Sequence, residues 1–139
     1  MKVVSLKNDV KLFFVTASSF PAGIKSAWNK LYAILPSVEG RNFFGISQPD
    51  KNGIIIYKAA VEESYPGEAE KFGCKTFVCK KGKYLSEMIP NWQKDETLIG
   101  KTFHKILADS RIDRNGFCVE MYLGEKEMQC MVPMEDAIV

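Results

Sequence analysis

The sequence predicts an α+β fold in which a βαββ unit occurs twice, giving a mostly antiparallel sheet with two helices on one face and a groove between the halves. Three observations carry this. A helical stretch recurs at an offset of 75 residues, from Ile24 to Ile99. Each copy follows a strand-like segment. Each is followed by two more strand-like segments separated by turn formers. The chain of 139 residues is the size of one domain, read as a single unit over 1–139 with pseudo-repeats at about 1–61 and 74–139.

The elements follow in order. Residues 10–16 alternate as a strand. Ile24, Ala27, Trp28, Leu31 and Leu35 form one helical stripe, with Pro21 suited to the first turn and Ser19 or Phe20 at the cap. Residues 42–47 and 54–61 then make a hairpin around Gln48, Pro49, Asp50, Asn52 and Gly53, which are typical turn residues. Residues 62–73 are a polar connection, readable as a partial cover over a cleft or as a plain surface excursion. A short strand over 74–79 runs into Lys80, Lys81 and Lys83, a basic run that reads as a solvated hairpin. After a strand at 84–89, Ile99, Thr102, Phe103, Ile106 and Leu107 repeat the helical stripe, with Asp95 or Thr97 as cap. Residues 117–123 and 127–132 close the second hairpin around Gly124 and Glu125.

Bulk properties exclude several classes. Nineteen basic residues against 17 acidic ones leave a net charge of +2, which gives no electrostatic case for direct nucleic-acid binding or an acidic membrane. No apolar run has the length of a membrane span, and the first twelve residues lack a signal-peptide core, so a cytoplasmic location is expected. Cys74, Cys79, Cys118 and Cys130 show no CxxC spacing, which argues against structural zinc, and they read as reduced buried thiols. A Cys118–Cys130 bridge across the second hairpin is conceivable but would be strained. His104, the single histidine, falls on a solvated helix position, so no triad, haem ligand or metal set is built around it. No cofactor is expected.

Glu120 is the informative residue. It lies mid-strand in the segment Phe117, Cys118, Val119, Glu120, Met121, Tyr122, Leu123. Side chains alternate along a strand, so Phe117, Val119, Met121 and Leu123 share a face that reads as core. Cys118, Glu120 and Tyr122 share the other, which is too polar for a core and too aromatic for an ordinary surface. A carboxylate beside a tyrosine suits a pocket for a cationic small molecule. The same carboxylate would equally serve as a solvated charge or a partner of Lys58 or Lys126.

These motifs in order resemble the GyrI-like small-molecule-binding domain, which is also the effector-binding domain of AraC-type and MerR-type transcription activators. The matching stretches are Phe44-Gly45-Ile46-Ser47, Tyr57-Lys58-Ala59-Ala60-Val61, Phe72-Gly73, Gly82-Lys83-Tyr84 and Cys118-Val119-Glu120-Met121-Tyr122. The resemblance covers nearly the whole chain and implies a duplicated βαββ fold, with the ligand-contacting glutamate at Glu120. It also implies multidrug binding or transcription regulation as contexts. The regulators carry a helix-turn-helix beside this domain, and this chain looks like the stand-alone form.

The expected site is Glu120 and Tyr122 with Tyr57, Trp92, Phe14, Phe44 and Met131 as wall residues. Trp28 is read as core because it matches Phe103 in the repeat. The expected function is binding of small organic ligands, cationic or aromatic, in a central pocket. One rival is hydrolysis of reactive cyclopropane-type molecules, with Glu120 as the catalytic base. Another is a protein partner, either a regulator or gyrase.

Overall fold

The computed structural model describes residues 1–135. The chain folds as two compact units, one of residues 9–79 and the other of residues 1–8 with the chain from Lys80 onward. All strand pairs within each unit are antiparallel. The class and the βαββ duplication are those the sequence predicts.

The second unit opens with β1 (Lys2–Leu6), and the chain then enters the first unit at β2 (Val10–Thr16). There follow α1 (Ile24–Ile34), β3 (Phe43–Pro49), β4 (Ile55–Glu62), the short α2 (Glu68–Lys71) and β5 (Lys75–Cys79). The strand order in this unit is β3, β4, β2, β5. The second unit resumes with β6 (Gly82–Ile89), a 3-10 turn (Trp92–Lys94), α3 (Thr97–Leu107), β7 (Cys118–Leu123) and β8 (Glu127–Pro133). Its strand order is β1, β6, β8, β7. The repeat is therefore longer than βαββ. Each copy begins with an extra strand, β1 or β5, that pairs in the unit built from the other copy. Among the described residues no helix is long and apolar enough to cross a membrane.

Each helix covers one face of its own four strands. Ala27 and Leu31 of α1 are buried over Phe13, Ala59 and Val61, and Trp28 packs at the edge of this cluster, half-buried. Phe103 and Ile106 of α3 are buried over Leu85, Met128, Cys130 and Val132. Each large side chain removed from water in this way contributes roughly 1.5–3 kcal/mol. Leu107, expected on the stripe, is 43% exposed and lies off it, in the last turn.

Both helix starts differ from expectation. Pro21 lies in a turn before α1, after a cis Phe20–Pro21 bond, and the N-cap is Gly23, with no side-chain cap. A Cβ at position 23 would stand 2.8 Å from the backbone of Ser19, so the tight turn rather than a capping side chain dictates the residue. At α3 the N-cap is Glu96, but Asp95 Oδ1 accepts hydrogen bonds from the Thr97 N–H and hydroxyl, so Asp95 does satisfy an orphan donor of the first turn. The turn between β7 and β8 is residues 124–126, with Gly124 at φ +69°.

The polar connection after β4 is more than a surface excursion. Glu68, at the start of α2, is buried and accepts from the Arg41 guanidinium at both oxygens. Its Oε1 also accepts the Ser64 N–H at 2.9 Å. Arg41 lies over the Phe13 ring, and Phe72 packs on the same ring. The connection is thus pinned to the first unit's core by one buried ion pair. Removing one partner of such a pair strands a charge, which is the costly case.

Arg41→Ala is expected to destabilise the protein by about 3 kcal/mol in urea unfolding. Replacing both partners, Arg41→Met with Glu68→Leu, is expected to recover most of the loss. The Arg41 guanidinium holds the Glu68 carboxyl below the usual carboxylate range. Its folded pKa is the lower one, so this stability is present above the unfolded carboxylate value and disappears as pH falls through the folded one. Acid titration of stability should therefore be shallower in the double variant.

Candidate functional site

The pairing of β7 with β8 sets Glu120 opposite Cys130, and Cys130 lies opposite Glu87 on β6. Residues directly opposite in antiparallel strands share a face. Glu87, Cys130 and Glu120 therefore form a row across three strands. That face is the one under α3, because Cys130, Met128 and Val132 belong to the cluster that Phe103 and Ile106 cover. This corrects the reading of β7. The Glu120 face is the helix-covered face, with Cys118 and Tyr122 packed on the apolar cluster. The apolar run Met128, Cys130 and Val132 on β8 determines the register and carries Glu120 inward with it. On the opposite face Val119 and Met131 are fully buried as well.

Glu120 is 8% exposed. Burying a carboxylate requires hydrogen bonds to replace its water. Tyr122 Oη donates to Glu120 Oε1 at 2.7 Å, two residues along the same strand face. The Tyr122 ring meets Trp92 edge-on, with centroids 5.4 Å apart at 67°. Trp92 is held by its position in the 3-10 turn, where its N–H donates to the Lys126 carbonyl at 3.2 Å. Its indole Nε1 is buried and finds no acceptor among the described residues. A buried donor without a partner costs about 1–3 kcal/mol. The carboxylate, the phenol and the indole are thus linked in one chain of contacts, all within the second unit.

Neighbouring charges shape this row. Lys105 of α3 donates to Glu87 Oε1 at 2.7 Å and holds the Glu87 carboxyl below its ordinary range. Burial pushes the Cys130 thiol up to about 12, and the negative charge of Glu120 beside it adds to the effect. All four cysteines are free thiols, and Cys130 Sγ makes a 3.7 Å contact with Met128 Sδ.

Of the other expected wall residues, Met131 belongs to the second unit and Tyr57, Phe44 and Phe14 to the first. Met131 is fully buried on the face of β8 opposite Cys130. Tyr57 is buried in the first unit, where its hydroxyl accepts from Trp28 Nε1 at 3.1 Å and Phe20 stacks on its ring. Phe44 is 3% exposed on β3. Phe14 on β2 lies under the Lys58 ammonium, 4.7 Å from the ring centroid. Sequence reasoning missed Glu87, Lys105 and Cys130 as neighbours of the site. For Glu87 and Cys130 the only signal was strand register, and Lys105, on α3, joins the row through its bond to Glu87.

A scan against protein-family models and a search of the curated proteins find no match. Solved structures do match. An integron cassette protein from the mobile metagenome of Vibrio cholerae superimposes with a TM-score of 0.73 at 11% identity, covering 96% of this chain and 95% of that one. The protein SAV2435, solved bound to tetraphenylphosphonium, matches with a TM-score of 0.65 at 13% identity over 96% and 93% of the two chains. A hydrolase from Listeria innocua matches with a TM-score of 0.57 at 11% identity over 96% and 90%. At these identities the likeness establishes a shared fold.

Two outcomes follow from the geometry. Tyr122→Phe should cost about 1.5–3 kcal/mol of stability, the usual worth of a hydrogen bond to a charged acceptor. In native protein at pH 8, iodoacetamide should leave Cys130 unmodified while labelling it readily in urea, as read by peptide mass spectrometry.

Proposed function

We propose that this chain is a GyrI-like protein that binds small aromatic cations, with Glu120, Tyr122 and Trp92 as its recognition group. The observation that carries the reading is the buried Glu120 carboxylate, bonded to a phenol that itself meets an indole. A carboxylate in a low-dielectric setting attracts a cation more strongly than one in water. Aromatic rings beside it favour an organic cation over a metal ion, because their faces attract positive charge at about 0.5–2 kcal/mol per contact. The Trp92 N–H adds a preference for a ligand that also carries a hydrogen-bond acceptor. That SAV2435, a protein of the same fold, was solved with tetraphenylphosphonium supports the ligand class. The cation selectivity, the regulatory context and the GyrI-like assignment are all part of the proposal.

Hydrolysis is a second reading, favoured by the Listeria innocua hydrolase among the fold neighbours. Here Glu120 would accept a proton from water and Tyr122 would orient the electrophile. Mass spectrometry separates the two readings: a binding protein returns its ligand unchanged, while a hydrolase produces a product that Glu120→Gln abolishes.

Calorimetry with tetraphenylphosphonium and neutral triphenylphosphine oxide tests the binding reading. Glu120→Gln should weaken the cation by about tenfold or more, equivalent to about 1.4 kcal/mol, and leave the neutral molecule within about twofold. Equal losses for both, or no binding of the cation to the unaltered protein, would reject it.

A further inference from the structure

The first unit ends in an open strand edge. β5 is the last of its four strands and pairs with β2 alone among the described residues. The direction of its main-chain groups follows from β2. The Lys11 carbonyl accepts the Glu63 N–H, so it points toward the β4 side. Consecutive residues of a strand turn their N–H and C=O groups to opposite sides, and Val10, Leu12 and Phe14 therefore turn theirs toward β5. They stand opposite Cys79, Phe77 and Lys75. These are the hydrogen-bonded pairs, which leaves Thr76 and Val78 with N–H and C=O groups directed outward. Both residues are exposed, and neither makes a backbone hydrogen bond to a further segment among the described residues.

The charge along this edge has one sign. Residues 71–86 contain Lys71, Lys75, Lys80, Lys81 and Lys83 and no aspartate or glutamate. Lys75 begins β5, and Lys80 and Lys81 follow it directly in the chain, all three exposed. Lys75 forms no ion pair among the described residues. Its charge instead reaches Lys58, which burial, and then Lys75, make easier to deprotonate. Between the lysines the exposed side chain of Val78 offers an apolar contact. Lysines on an edge keep copies of a chain from pairing with each other, since two such edges side by side bring like charges together. The same lysines favour a strand of opposite charge. A phosphate backbone would match the lysines but has no donors for the outward carbonyls. A peptide main chain supplies a donor and an acceptor at every alternate residue.

We propose that the outer edge of β5 docks an acidic, extended segment of a partner protein, which joins the first unit as a fifth strand. Its main chain bonds to Thr76 and Val78. Its carboxylates lie beside Lys75 at one end and beside Lys80 and Lys81 at the other, and a β-branched side chain covers Val78. The docking edge does not depend on the reading of Glu120.

The probe is the acetylated and amidated peptide Glu-Glu-Thr-Val-Thr-Val-Glu, titrated into ¹⁵N-labelled full-length protein. Three controls accompany it: the same peptide with lysine for each glutamate, the acidic peptide N-methylated at each threonine and valine, and oligothymidine. The acidic peptide should saturably shift the amides from Lys75 to Lys80. With about nine-tenths of the protein bound, it should slow hydrogen exchange at Thr76 and Val78 about tenfold. It should bind about tenfold or more tightly than the lysine peptide, as complementary charge requires. The N-methylated peptide keeps the charge but cannot pair, and should lose about tenfold or more in affinity. In Lys75→Glu/Lys80→Glu the charge preference should fall to about twofold or less, with an otherwise unchanged spectrum showing that the fold is intact. The proposal is overturned by shifts that do not saturate, by an N-methylated peptide that binds as well as its parent, by oligothymidine producing the same shifts and protection, or by a charge preference that survives in the double variant.

Discussion

The register of β7 against β8 is the constraint on which the candidate site depends. Because side chains alternate along a strand, a slip of one residue would turn Glu120 away from α3 and bring Val119 in its place. The register is held by Met128, Cys130 and Val132, which must face the helix to complete the apolar cluster. The carboxylate is therefore carried beneath α3 by its neighbours' hydrophobicity. Polar groups placed against the local pattern in this way are expected where a protein gives up some stability for function.

The duplication makes the asymmetry visible. At the offset of 75, Gly45 occupies the position of Glu120, and Ser47 that of Tyr122. Gly45 lies opposite Ala59 as Glu120 lies opposite Cys130. The first unit has no charge at this point of its strands. Its buried ion pair is placed instead at Arg41 and Glu68, where it anchors the connection to the core. The same ββαββ framework thus carries a buried carboxylate on its helix-covered face in one copy and a buried ion pair in the other.

Much of this was legible in the sequence. Strand β2, the two helical stripes and the two hairpins follow from period, turn residues and the internal repeat, and Glu120 and Tyr122 on one face follow from alternation. The alternation could not say which face the helix covers, because Val119 and Met131 are as apolar as Met128 and Val132. Only the pairing across β6, β8 and β7 decides it. Glu68 looked like one acid among several in a polar connection, and nothing local marked Arg41 as its partner 27 residues earlier. The exchange of β1 and β5 between the copies is also a long-range outcome: residues 74–79 read as a short strand with no partner indicated, and β1 (Lys2–Leu6) is a strand the sequence reading did not assign. Trp92 could be placed near the start of the second helix, but its contact with Tyr122 depends on how the 3-10 turn meets the β7–β8 hairpin.

The most direct measurement is a crystal of the protein soaked with a cationic dye. Density in contact with the Glu120 carboxylate and with the rings of Tyr122 and Trp92 is the expected result. Dye bound elsewhere, with those three side chains in their unliganded arrangement, would contradict the assignment of this cluster as the recognition site.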